Sequence, residues 1–507
     1  MQSTGLSAST ILLCIGLYFI LLISIAYFTG KKSDNANFFL AGRQAPWYLV
    51  AFGMIGASIS GVTFISVPGF VKANQFSYFQ VVIGYIFGYL TIGLLLMPMY
   101  YKLNLTSIYT YLEQRFGFWS YKSGSAFFIL SRTFGSACRL YLVALVLYQF
   151  VFAGLGIPFW LTTLITIFLI WIYTFRGGIK TIVYTDVFQT TFLLSSLLIS
   201  VYFISNALGL NLSELWGEIR NSSYSKVFFV DSGWSDSNNF IKQFLGGMFI
   251  TIVMTGLDQD LMQKNLSCPN IKDAQKNMFS FTIILVLANA LFLVLGALLF
   301  IYAAQVGIDI PTREVNGKLV EQTDLLFPTL ALQHFGSIVG IVFILGLIAA
   351  NYASADSALA ALTTAFCIDF LGFEKGKIED QRMKPVRTWV HFSFSILLFL
   401  MVMVLWIMND RSIIDTVLRM AGYTYGPLLG LYAFGFFVRR QVQDKWVPIV
   451  CILSPVITYI LNANSVQWFW GYKFSFELLV LNGFLTFCGL WLISRKAVIP
   501  SHLLGRG

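Results

Sequence analysis

The sequence predicts an all-α polytopic membrane protein with about thirteen transmembrane helices. Three observations lead there. Of 507 residues, 57% are hydrophobic and only 11% are charged, too little charge to cover soluble domains of that length. Apolar runs long enough to cross a bilayer recur from one end to the other. The charges gather in short segments between those runs. The net charge of +10 is therefore a property of loops, and it argues for a lipid bilayer as partner and against nucleic acid.

The apolar runs fall at 8–28, 46–71, 77–101, 124–154, 157–175, 181–209, 240–261, 277–306, 335–368, 386–408, 413–437, 446–463 and 476–494. The first has no basic stretch before it and is long enough to span, so it reads as a retained helix and not a cleaved signal peptide. The longest loop, 210–239, leaves no room for an appended soluble domain. An odd number of spans puts the two ends of the chain on opposite sides.

Alternate loops differ in charge. One set holds most of the cations, among them Lys102, Arg115 and Lys122; Lys264, Lys272 and Lys276; Lys375, Lys377, Arg382, Lys384 and Arg387; and Arg439, Arg440 and Lys445. The other set is sparse, with residues such as Lys72, Lys226, Lys242 and Lys473. Basic loops stay in the cytoplasm. The expectation is a multi-pass protein of the plasma (inner) membrane, N-terminus outside and C-terminus cytoplasmic.

Polar and helix-breaking residues mark particular spans. In the second, "WYLVAFGMIGASISGVTFISVPGFV", the density of small residues from Gly56 to Gly61 favours a local break. A break frees carbonyls at mid-membrane, and such carbonyls bind hard cations. The fourth span holds Arg132 and Arg139, seven residues apart and so on one helix face. Buried arginines need anions. A salt bridge to Asp186 or Asp356 would serve, and so would an anionic substrate. Asp186 itself reads either as a capping or snorkelling group or as the lining of a cytoplasmic ion exit. The seventh span ends in "TGLDQDLMQKNLSC", with Asp258 and Asp260 near the inner face. In the eleventh, "RMAGYTYGPLLGLY", Tyr423 and Tyr425 either gate or pack.

The ninth span carries "IAANYASADSALAAL". Ala350, Ser354 and Ser357 step by four and three and share a face; Asp356 lies roughly 200° around from Ser354. Ser354 and Asp356 therefore serve two different sites: a hydroxyl site facing the break in span two, and a carboxylate facing the cytoplasmic path or an arginine.

Taken in order, "ASISGVTFISVPG", "YTFRGGIKTIVYTDVFQT", "DQDLMQKNLS", "SADSALAALTTAFCIDF" and "GYTYGPLLGL" resemble the sodium/solute symporter family over nearly the whole chain. The resemblance implies a leucine-transporter-type core of two inverted five-helix repeats with broken first helices. The repeats would cover 46–209 and 240–437, with an extra helix at 8–28 and two more at 446–494. It implies sodium-coupled uptake of a small organic solute by alternating access, with Na+ as coupling ion and no cofactor. Carried over by position, the sodium ligands are the carbonyls of Gly56, Ile59 and Ala350 and the hydroxyl of Ser354; a second hydroxyl position is filled by Ala353, which has none. A second ion site in some members maps to Asp186, Asp356 and Ser357 with Ser354. Substrate contacts map to Ser60, Thr63, Gln80, Arg132, Arg139 and Asp258. Which solute is carried is left open, and so is the oligomeric state.

Other readings compete. A proton-coupled carrier on the same fold is favoured by Ala353. A transporter-like sensor would work with a separate partner chain, since the sequence ends at Gly507. An enzyme needs a nucleophile–base pair or metal cluster. The six scattered cysteines and the three distant histidines (His334, His391, His502) offer neither.

Overall fold

A computed structural model describes residues 8–30, 35–315, 318–373, 380–408 and 413–496. Lys375 and Lys377 of the basic loops lie outside the described residues. Each of the thirteen expected runs is occupied by helix, the form that satisfies every backbone group without water. In chain order the helices are α1 (Ala8–Gly30), α2 (Trp47–Ser58), α3 (Gly61–Asn74), α4 (Tyr78–Lys102), α5 (Phe118–Leu155), α6 (Phe159–Thr174), α7 (Gly178–Ala207), α8 (Phe240–Gly256), α9 (Gln259–Leu266) and α10 (Ile271–Val306). They continue as α11 (Ser337–Phe370), α12 (Arg382–Met408), α13 (Ile413–Thr424), α14 (Gly426–Phe437), α15 (Asp444–Ala463) and α16 (Leu478–Leu492).

Two spans are broken. The axes of α2 and α3 meet at 55°, and those of α8 and α9 at 63°. These are the second and seventh spans, five apart, as a pair of inverted repeats requires. At the first break Ile59 leaves the helical region (ψ 81°) and Ser60 is extended (ψ 174°). The second follows a π-helical turn, Ile252–Gly256, after which Asp258 is extended. Gly178, at φ 54°, makes the kink that separates α6 from α7.

Small residues set the closest crossings. A Cβ on Gly84 would strike Phe244 O and one on Gly247 would strike Val81 O, so α4 and α8 touch backbone to backbone. α7 and α11 pack along much of their length, with Gly346 against Ser196.

Loop contacts divide into two groups. On the basic side Ala45 N–H bonds Ser267 O, Tyr101 bonds Cys268 O, Arg115 bonds Val438 O, and Arg440–Val442 pairs with Ser494–Lys496. On the other side Phe76 N–H bonds Lys226 O, Lys72 pairs with Glu321 and Lys242 bonds Lys473 O. Every contact within a group joins loops an even number of spans apart, which agrees with the thirteen-span alternation.

Candidate functional site

A cavity of ≈ 110 Å³ opens at the first break, lined by Ile59, Ser60, Thr63, Arg132, Arg139 and Asn289 among others. The break itself explains why polar atoms collect there. Ser60 N–H turns to Ser58 O, so it no longer reaches the carbonyl of Gly56, four residues back. Helix resumes with Phe64 N–H on Ser60 O, which leaves Ile59 O outside both ladders. The carbonyls of Gly56 and Ile59 are thus available to a cation without further unwinding.

Gly56 sits against the neighbouring helix α7. Its N–H donates to Thr190 Oγ1 at 3.0 Å, and the Thr190 hydroxyl reaches Gly53 O at 3.4 Å. Ala353 lies on the same side, its Cβ 3.5 Å from where a Cβ on Gly56 would be. Thr190 therefore puts a hydroxyl where Ala353 has only a methyl. Thr190 is not among the residues that the sequence motifs single out. Its signal was available in "DVFQTT", one residue past Gln189 and four past Asp186 on one helix face.

The two arginines have different partners. Arg132 ion-pairs with Asp260 through Nη2, both buried. Asp260 N–H donates to Asp258 Oδ1 at 2.9 Å, so Asp258 caps α9, and Tyr425 OH donates to Asp258 Oδ2 at 2.5 Å. Arg139 donates from Nη1 to Ser354 Oγ at 2.7 Å and forms no ion pair among the described residues. Neither arginine pairs with Asp186 or Asp356, contrary to the salt bridge considered above. From one helix face both reach forward toward α9 and α11, and Asp260 and Ser354 are what they meet.

Ser354 and Asp356 do serve different places. Ser354 turns to Arg139; Asp356 accepts from Tyr173 OH at 2.9 Å, between α6 and α11. Asp186 neither caps a helix nor snorkels. It is buried, and Oδ2 lies 2.5 Å from Lys264 Nζ. Lys264 belongs with this pair and not with the loop cations. The seventh span continues past its break as α9, so Lys264 is still inside the protein, its side chain 1% exposed. Ser357 Oγ donates to Ala353 O at 3.0 Å, within its own helix.

Four expected substrate and gating residues do not line the cavity. Gln80 pins the outer loop: its amide donates to Asn238 O at 3.0 Å and accepts from Phe229 N–H at 2.9 Å. Asp258 is occupied as a cap. Tyr423 and Tyr425 part company. Tyr425 holds Asp258 beneath the cavity, while Tyr423 OH accepts from Asn462 at 2.6 Å in a separate cavity with Arg419, Tyr459 and Lys473. Asn289 lines the cavity with its Oδ1 unpartnered among the described residues, and was legible only as one amide in the apolar run of α10.

Comparison with known proteins adds three likenesses. The chain is 26% identical over 471 residues to the sodium/sialic acid symporter NanT of Aliivibrio fischeri, covering 91% of this chain and 89% of that one. It is 24% identical over 410 residues to sodium-coupled monocarboxylate transporter 2 of Mus musculus, covering 80% and 64%. The fold matches that of a Na+-coupled sialic acid symporter solved in a substrate-bound outward-open state, at a TM-score of 0.81 and 20% identity, over 97% of this chain and 100% of that one. The model of the sodium:solute symporter family matches residues 38–444. A match of that extent, on a fold whose second and seventh spans are both broken, makes the chain a member of the sodium:solute symporter family.

Proposed function

We propose that this sodium-coupled symporter carries a small organic carboxylate, and that Arg139 anchors its carboxyl group. One observation carries the reading: a half-buried guanidinium faces the cavity with a neutral hydroxyl as its partner and no carboxylate ion pair among the described residues. Charge in a membrane interior is costly unless matched, and a planar fork of donors fits a carboxylate in bidentate fashion. Ser60, Thr63 and Asn289 supply hydroxyl and amide groups for the rest of the solute. The names of the relatives, sialic acid and monocarboxylate transporters, agree with an acid.

The sodium position of this reading uses the carbonyls of Gly56, Ile59 and Ala350 and the Ser354 hydroxyl, with Thr190 beside them. The inverted repeats span 46–209 and 240–437, supported by bends of 55° and 63° at corresponding spans. The basic face is cytoplasmic and the protein resides in the cell membrane, supported by the charge bias of the loops.

The test is a thermal-shift screen of purified protein, with and without sodium. Ligands of the folded state raise the melting temperature. Sialic acid and short monocarboxylates are expected to stabilise in sodium, and their neutral amides are not. Equal shifts from acids and amides would overturn the assignment of Arg139.

A further inference from the structure

The symporter reading leaves the buried ammonium of Lys264 without a role. Lys264 sits on α9, the short arm of the second broken span, and its ammonium reaches Asp186 on α7 at 2.5 Å. Asp356, on α11, lies within electrostatic reach of both. All three side chains are buried. Asp186 Oδ1 and Asp356 Oδ1 have no hydrogen-bond partner among the described residues. The meeting point of α7, α9 and α11 thus holds two carboxylates, one ammonium and two open carboxylate oxygens. Gly53 of α2 closes it on another side, since a Cβ there would lie 2.8 Å from Asp186 Cβ.

The family resemblance puts a second sodium at Asp186, Ser354, Asp356 and Ser357. These residues do not fit one. A hard cation needs a shell of oxygens. Here Asp186 is committed to Lys264, and the Ser354 hydroxyl is already assigned to the first sodium. A sodium added there would stand beside the buried ammonium of Lys264, and like charges at close range inside a protein repel.

We infer that Lys264 is a tethered cation standing at the second ion position, so that a single sodium, at the α2–α11 position, is bound for each solute carried. The inference rests on the sodium-symporter reading. It follows that the charge at Asp186 is balanced in every conformation that keeps α9 against α7. It also follows that accumulation depends on the first power of the sodium gradient and not on its square.

Equilibrium binding of 22Na+ to the purified full chain tests this with sodium as the only probe. The wild-type protein is expected to show one saturable site per chain and a hyperbolic isotherm. Lys264→Ala, which leaves two carboxylates and no cation, is expected to admit a second sodium. Two sites in the wild type would overturn the tethered cation while leaving the symporter reading intact. A Lys264→Ala protein that folds and still binds one sodium would overturn it as well. No saturable sodium binding in the wild type would overturn both. Should Lys264→Ala not fold, the wild-type count decides alone, because a second site there is incompatible with an ammonium in that place.

Discussion

Arg139 Nη1 donates to Ser354 Oγ at 2.7 Å, joining α5 to α11 beside the first break. One hydroxyl therefore stands between the cation that would receive a carboxylate and the position assigned to sodium. A carboxylate at Arg139 competes for the guanidinium donors and releases Ser354 Oγ toward the sodium side. The two ligands are then coupled, and the coupling is reciprocal. Solute should lower the sodium concentration for half-maximal binding by about fivefold or more, within the usual range of such couplings. Sodium titrations at rising solute concentration measure it. Ser354→Ala should raise the sodium requirement and abolish the solute effect, and an unchanged sodium dependence would remove Ser354 from the site.

Arg139→Ala should weaken binding of an acidic solute by about 2–5 kcal/mol, the usual cost of truncating one partner of a desolvated charge pair. Arg139→Lys should recover part of that, since an ammonium keeps the charge but loses the fork. Competition binding with acid and amide forms of one solute gives the readout. Loss of affinity for both forms alike would point to a packing role.

Arg132 should behave differently, because its charge is already matched. Removing one partner of a buried pair costs about 3–5 kcal/mol. Arg132→Ala and Asp260→Ala should each deplete folded protein in detergent. The double change Arg132→Met with Asp260→Leu should restore much of the melting temperature. Continued instability in the double variant would mean that the pair does more than balance charge.

Gly56→Ala places a methyl 2.5 Å from Thr190 Oγ1. Overpacking of this kind costs about 1–3 kcal/mol. The melting temperature should fall, and Thr190→Ala in the same chain should bring it back by vacating the space. Sodium affinity should not return with it, because the hydroxyl that stands in for Ala353 has gone. Recovery of both would separate Thr190 from the sodium position.

Gln80→Ala should leave solute affinity within about twofold of wild type, because Gln80 lies outside the cavity and effects of changes without shared partners are small. It should instead loosen the outer loop held through Asn238 and Phe229. Limited proteolysis in the 210–239 loop reads that directly. A tenfold loss of solute affinity would return Gln80 to the substrate contacts.

Much of this protein was legible in one dimension. Hydropathy located all thirteen runs, because each helix must present apolar side chains to lipid over a fixed thickness. The run of small residues from Gly56 to Gly61 announced the first break, since glycine and serine weaken a helix locally. The offset of Ser354 from Asp356 followed from helical periodicity alone, and the structure gives them different partners. Partner choice was not legible, because it depends on which helices cross at what depth. Only the tertiary structure sent Arg132 to Asp260 and Arg139 to Ser354. It set Thr190 against Gly56, and it drew Lys264 out of the loop cations and onto Asp186. That last assignment turned on the 63° bend between α8 and α9. A bend lets a chain re-enter the protein interior where hydropathy reads it as leaving, so Lys264 meets a carboxylate instead of water.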